Sequence, residues 1–436
     1  MSPVEIGAVM LAAMLVLMFL GVHIAVVLIL LSFVGVWWIK ADPVIATKLL
    51  ANTANDALAN YLFGMVPMFV LMGLVVDRSK IGRDTFDAAQ WLLGRVPGGL
   101  GIATVCANAI FAAITGISIA SAALFTRVAV PQMLRLGYQP RFAVGVVAGS
   151  SVLGMLIPPS LLLILYGIIT ETSIGDMFRA GIAPGILLAA AFCLMIFLLA
   201  LLSPKRIVID GKFDAIRTAD DDFSAFLKVA PSLTLIAVVL GGIYGGVFTV
   251  TEAAAAGAAF ALIIAASLCR ITIRDFWAIL IETGHITVTI LFLILAANMY
   301  SKMLAFSLIP QELLSIIRGF GVEFVPFLLL FVALLLVLGM ILDSISILLI
   351  VIPLVLPVVR GFGVDLVWFG IITVIAVEIG LLTPPFGLSV YVVKSTISDS
   401  RVTLADVFRG AFPFVLIMLA VLAILIVFPR LALLFV

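Results

Sequence analysis

Two short stretches, GMLIPPSLL at 154–162 and GLLTPPFGL at 380–388, place a double proline inside long apolar runs. Proline has no N–H and its ring clashes with the carbonyl four residues back, which costs a helix interior about 3 kcal/mol. Two in succession unwind a helix and free main-chain carbonyls, here near Gly154 and Met155. Such oxygens are hard donors suited to Na⁺, and the N–H groups of the half-helix that follows suit an anion. Gly149, Ser150 and Ser151 precede the first break, and Glu378, Gly380 and Thr383 surround the second. These small and hydroxyl-bearing residues let an ion reach the backbone. The competing explanation is a pair of structural kinks repaired by neighbouring helices. In hydrocarbon each unpaired polar group costs several kcal/mol, so a break that recurs is expected to face a cavity or a ligand.

The elements that hold these breaks must be membrane spans. The 436 residues are 65% hydrophobic and 11% charged, too little charge to cover a soluble surface of this size. Apolar runs of spanning length recur from end to end. An all-α polytopic membrane protein is expected, with spans at about 4–22, 24–39, 62–80, 140–171 (broken) and 177–202. They resume at 229–248, 251–269, 287–305, 366–397 (broken) and 404–430. Amphipathic segments at 43–62 and 274–286 are too polar to cross and are expected at the interface. Two more apolar stretches, 98–137 and 324–361, are interrupted by Thr115, Gly116 and Ser118 in the first and by Asp343, Ser344 and Ser346 in the second. Short arms and polar turns predict re-entrant hairpins whose tips stop midway.

The polar linker at 203–228 divides the chain nearly in half. An offset of 226 matches Ser118 with Ser344, Pro131 with Pro357, Gly137 with Gly363, Gly154 with Gly380, Pro158 with Pro384 and Pro159 with Pro385. MFRAG at 177–181 answers VFRGA at 407–411. Residues 1–202 and 229–436 are therefore read as two repeats, each of five crossings and one hairpin. Five is odd, so the second enters the membrane the other way up, an inverted-topology repeat. With the N-terminus outside, 17 of the 24 Lys and Arg residues face the cytoplasm; Lys40, Lys48, Arg179, Lys302, Arg318, Arg360 and Arg430 face out. That bias obeys the positive-inside rule and puts both termini outside and the linker in the cytoplasm.

Acids embedded in apolar sequence are functional by default. Asp343, at a hairpin tip, is expected to bind or couple a cation, its alternative being to cap the helix ISILLIVI. Glu378 either shares that role or bonds backbone near the break. Glu252 reads as a helix cap, and Arg179 and Arg409 as interfacial anchors. His23 and His285 are isolated, and Cys106, Cys193 and Cys269 read as small packing residues. Asn108 either lines the first hairpin or bonds a neighbour. No Walker motif, Ser-His-Asp set, HExxH or Cys-His set is present, which argues against an ATP-driven pump and against an enzyme. No basic stripe suits nucleic acid. No cofactor is expected beyond a coupling ion, and a passive channel is the rival class.

ITGISIASAA, the segment from VPQMLRLGYQP to GMLIPPSLLLILYGIITETSIGDMFRAGIAPG, GGIYGGVFTVTEAAA, LGMILDSISILLIVIPLVLPVV and VEIGLLTPPFGLSVYVVK together resemble the large, DctM-like membrane subunit of the tripartite ATP-independent periplasmic (TRAP) transporters. The likeness covers nearly the whole chain. It implies an elevator-type Na⁺ symporter for an organic acid, usually a carboxylate, in the bacterial inner membrane. It also implies two partners, a small membrane subunit and a periplasmic substrate-binding protein. By this resemblance cations are expected at Thr115, Gly116, Ser118, Gly149, Ser150, Gly154 and Pro158, and at Asp343, Ser344, Glu378, Gly380, Thr383 and Pro384. Substrate is expected against Ser118, Ser121, Ser151, Pro159, Ser346, Pro385 and Gly387. The first tip departs from the family's frequent Ser-Gly-Ser-Ser by interleaving Ile117 and Ile119, and Ala376 replaces a frequent Asn two before Glu378. A related dicarboxylate/sodium or proton symporter that works without a binding protein is the alternative.

Overall fold

Helices account for nearly all the regular structure of the computed structural model, which describes residues 1–211, 227–397 and 402–436. Among the described residues the one β feature is an isolated antiparallel bridge, Tyr138 to Val208. Seven helical segments have the length and composition to cross a membrane, and further apolar helices run to 10–17 residues.

The first half begins with α1 (Pro3–Phe19), α2 (Ile24–Lys40) and α3 (Pro43–Ala59). Asn60 then takes an extended conformation and its side chain accepts from Leu62 N–H, so the chain restarts as a 3₁₀ turn leading into α4 (Met65–Arg78). Next come α5 (Ile81–Leu93), α6 (Gly99–Thr115) and α7 (Ser118–Arg135). The first broken span comprises α8 (Pro140–Ser151), the single turn α9 (Leu153–Leu156) and α10 (Leu161–Thr170), before α11 (Ile174–Leu202). The second half holds α12 (Ala230–Tyr244, with a π turn at its centre), α13 (Val250–Ser267), α14 (Ile273–Ser307), α15 (Ile309–Gly319), α16 (Phe324–Gly339) and α17 (Ser344–Phe362). It closes with the second broken span, α18 (Leu366–Gly380) and α19 (Leu388–Thr396), and with α20 (Leu404–Val427).

Three expectations need correction. The segment 274–286 is not a separate interfacial helix but the first part of the 35-residue α14. Its first-half counterpart is cut off by the Asn60 cap, whereas Glu282-Thr283-Gly284-His285 supplies no capping break and the helix runs through. The second arm of the second hairpin is not short: α17 has 19 residues despite Pro353 and Pro357. Two amphipathic helices, α5 and α15, add to the elements that the sequence pattern predicts. The linker is anchored at its start, where Gln139 N–H donates to Ile207 O at 2.7 Å and Ile209 N–H to Gly137 O at 2.9 Å. Residues 212–226 of the linker lie outside the described residues.

Packing sorts the helices into two groups. In one, α2 lies against α1, α3 and α14, and α4 against α13 and α14. In the other, α8 packs on α6, α7 and α20, α10 on α17, α11 on α6 and α18, and α16 on α18. The α8–α20 contact is close because glycines face each other, Gly145 against Gly410, leaving no space for a Cβ. The amphipathic helices bridge the groups: α5 touches α4 and α12 as well as α6 and α7, and α15 touches α1 and α14 as well as α17. Thr249 and Glu252 form a capping box at the start of α13, as the sequence pattern predicts.

Candidate functional site

The two hairpin tips each settle on the neighbouring break. Gly116, at positive φ, ends α6, and its carbonyl accepts from Leu161 N–H at 3.2 Å, while a Cβ there would collide with Pro159 O. Gly154 faces Ile117 and the Ser118 N–H, leaving 3.0 Å for a Cβ. Tip 1 thus lies directly on break 1, and Gly73 of α4 covers it, close against Thr115. In the second half a Cβ on Gly380 would sit 2.6 Å from Gly339 Cα, and Phe386 N–H donates to Met340 O at 3.3 Å. Both Pro158-Pro159 and Pro384-Pro385 are cis.

The sets meet at Glu378. This carboxyl is 1% exposed at the end of α18, and it accepts a hydrogen bond from Ser344 Oγ at 2.9 Å. Ser118, from the other tip, faces the same carboxyl. Ser118 Oγ and Glu378 Oε2 face each other without the geometry of a full hydrogen bond, and the buried Ser121 Oγ and Ser389 Oγ have no hydrogen-bond partner among the described residues. Buried polar atoms are almost always satisfied, so these oxygens are the candidate ligands of this centre. Around them α7 packs on α8 and α19, and α9 on α18.

The other expected residues divide by what already engages them. Thr115, Ser150, Ser151 and Thr383 donate their hydroxyl protons to carbonyls three or four residues back, at 3.1, 2.7, 2.8 and 2.8 Å. Each oxygen keeps lone pairs for another partner. Asn108 bonds a neighbour: its Nδ2 donates to Ser150 Oγ at 2.5 Å, and its Oδ1 has no partner among the described residues. Asp343 is the N-cap of α17: Ser346 gives it an N–H at 3.0 Å and a hydroxyl at 2.5 Å. The capping role is therefore realised, and Glu378 bonds a hydroxyl rather than backbone. Gly149 is filled by the Phe414 ring of α20, and Gly387, at positive φ, abuts the Phe408 ring. Pro158 touches Gly181 of α11, whereas Pro384 and Pro385 are exposed.

At the first break the freed Met155 O accepts the Ser160 hydroxyl, which leaves one of its two lone pairs for a further partner. Ser160 also caps α10 through Leu163 N–H. Sequence reasoning missed this residue, although a Ser directly after Pro-Pro and before a leucine run is an N-cap pattern. The position 226 residues on is Phe386, which has no hydroxyl to offer.

An all-helical chain with this many apolar helices, two broken at matching points around a buried polar centre, has the build of a multi-pass membrane transporter. The arrangement is similar to the solved YdaH transporter of Alcanivorax borkumensis, with a TM-score of 0.63 and 16% identity over 89% of this chain and 90% of that one. It is also similar to MtrF of Neisseria gonorrhoeae, with a TM-score of 0.58 and 12% identity over 91% and 85%. At these identities the likeness concerns the fold. Sequence similarity goes further: the family profile "Tripartite ATP-independent periplasmic transporter, DctM component" matches residues 11–431. The chain belongs to that family. It is 33% identical over 391 residues, 89% of each chain, to the C4-dicarboxylate TRAP transporter large permease protein DctM of Pseudomonas aeruginosa. It is 32% identical to the sialic acid large permease SiaM of Vibrio cholerae, over 86% of each chain. It is likewise 32% identical to the ectoine large permease TeaC of Halomonas elongata, over 84% of each chain.

Proposed function

We propose that this large permease takes up a small organic acid, driven by Na⁺, from a periplasmic binding protein and with a small membrane subunit as its second partner. The single observation that carries this reading is Glu378, a buried carboxyl that meets Ser118 of one tip and Ser344 of the other. A cation entering there would meet a carboxylate and several hydroxyl oxygens, the donor set that hard monovalent ions prefer. The two groups of packed helices support an elevator mechanism, in which the group bearing tips and breaks moves against the group of α2, α4, α13 and α14. An inverted repeat is supported by the element starts: Ile24 and Val250, Ser118 and Ser344, and Pro140 and Leu366 all differ by 226. The proposed setting is the inner membrane, with both termini periplasmic and the linker cytoplasmic.

The relatives are named for C4-dicarboxylate, sialic acid and ectoine, so family membership leaves the substrate open. Uptake by the reconstituted chain with both partners, with and without a Na⁺ gradient, tests the coupling. Glu378→Gln is expected to reduce Na⁺-driven uptake about tenfold or more while the protein still folds, since a cation loses its anionic ligand. The same buried carboxyl supports a second reading, proton symport. Uptake that follows pH and ignores Na⁺ would select it, and uptake by the chain alone would favour a stand-alone symporter.

A further inference from the structure

A cleft of about 240 Å³ opens where α14 and α15 meet α17 and the end of α10. Its polar lining is Arg360, Glu171, Ser301 and Gln311, set against Pro353 and Pro357. One guanidinium nitrogen of Arg360 donates to Thr170 O at 3.0 Å, which orients the side chain and leaves most of its five donors free. Glu171 follows Thr170 in the left-handed conformation at the C-cap of α10. Among the described residues neither Arg360 nor Glu171 forms an ion pair. The nearby cations are engaged elsewhere: Lys302 pairs with Asp56 at 3.6 Å, and Arg318 donates to Gly361 O at 3.4 Å.

We propose that this cleft binds a small zwitterion, its carboxylate on Arg360 and its ammonium on Glu171. The planar guanidinium fork matches a carboxylate in two parallel hydrogen bonds. A dicarboxylate would set one of its charges against Glu171, and a diamine would set one against Arg360, so each is disfavoured by a like charge. A molecule carrying both signs satisfies both walls, with Ser301 and Gln311 left to hydrogen-bond its middle. The volume is below the roughly 300–1,000 Å³ of pockets for drug-sized ligands, which suits a ligand of few heavy atoms. The walls belong to different helix groups, α14 to one and α10 and α17 to the other, so a bound zwitterion bridges them. Binding requires neither transport nor a partner, so it stands apart from the proposed uptake.

The test uses the full chain in detergent with Cys106, Cys193 and Cys269 replaced by serine and Ala305→Cys, on the cleft wall, as reporter. Its labelling by a neutral maleimide is timed with β-alanine, 4-aminobutyrate, succinate or putrescine at about 20 mM, roughly twentyfold above a millimolar Kd. The two zwitterions are expected to slow labelling about threefold or more, and the other two to leave it unchanged. Arg360→Gln and, separately, the exposed Glu171→Gln are each expected to abolish that protection, Glu171→Gln admitting succinate instead. Arg360→Lys, which keeps the charge, should retain part of it. Zwitterions that fail to protect, equal protection by all four probes, or protection that survives both neutral variants would overturn the proposal.

Discussion

Glycine at position 380 and glutamate at position 378 show how much a single residue decides in this centre. Gly380 lets α18 touch α16 backbone to backbone: an added Cβ would lie 2.6 Å from Gly339 Cα and 3.0 Å from Leu336 O. Neither neighbour is a flexible side-chain end, so Gly380→Ala must push the helices apart. Overpacking of this kind costs about 1–3 kcal/mol. A lower midpoint in thermal unfolding, together with a disturbed Ser344–Glu378 contact two residues away, is the expected outcome, read by melting temperature and by loss of uptake. Asn108 shows where reading by residue type stalls. Whether an amide lines a site or bonds a neighbour depends on what lies across from it, and Ser150 lies there, 42 positions away in sequence.

At the scale of elements, the caps and the amphipathic helices carry the argument. Asp343 begins α17 by accepting from Ser346 N–H and hydroxyl. Asp343→Ala should therefore cost about 1 kcal/mol of stability, whereas Asp343→Asn, an equally good cap, should cost little. If the carboxylate also serves the proposed cation, both variants lower the apparent Na⁺ affinity alike, a split that melting curves and Na⁺-dependent uptake resolve. On α5, half-buried Asp87 is held above the ordinary carboxylate range, chiefly because burial disfavours its charge, with Arg83 and Lys228 opposing. A folded-state pKa above the unfolded value means that the folded state gains below the ordinary pKa and loses that gain as pH rises through the raised value. Asp87→Asn should accordingly raise the melting temperature at neutral pH, and the gain should shrink as pH falls toward about 4.

Across the whole molecule, the two pairs of tip and break read alike in sequence yet are not buried alike. Tip 1 and break 1 are enclosed beneath α4, where Phe69 and Val70 face Thr115, Gly116 and Pro159 around a small gap. At the second pair Ile341 and Phe386 are 43% and 56% exposed. One tip is sealed against the opposite helix group and the other is partly exposed, an asymmetry that the proposed elevator would show in one of its two states. The seam can be locked. The Cβ built on Gly73 lies 3.6 Å from Thr115 Cβ, inside the about 3.5–4.5 Å span of a disulfide. With the native cysteines replaced, Gly73→Cys with Thr115→Cys should cross-link under mild oxidation and arrest the uptake that the reduced variant retains, and a reductant should restore that level. Cross-linked protein that transports at the original rate would show that α4 and tip 1 need not part.

What the sequence determined by itself is local or periodic. Proline chemistry placed both breaks, Glu252 marks a helix start by its capping chemistry, and an offset of 226 matches the two tip-and-break motifs. Only the tertiary structure decided which freed groups stay free. Ser160 takes Met155 O at the first break, Phe386 cannot do so at the second, and Glu378 gathers serines from residues 118 and 344. The physical reason is that a break is written in one stretch of chain, whereas the burial and satisfaction of its polar atoms depend on helices that pack there from remote positions.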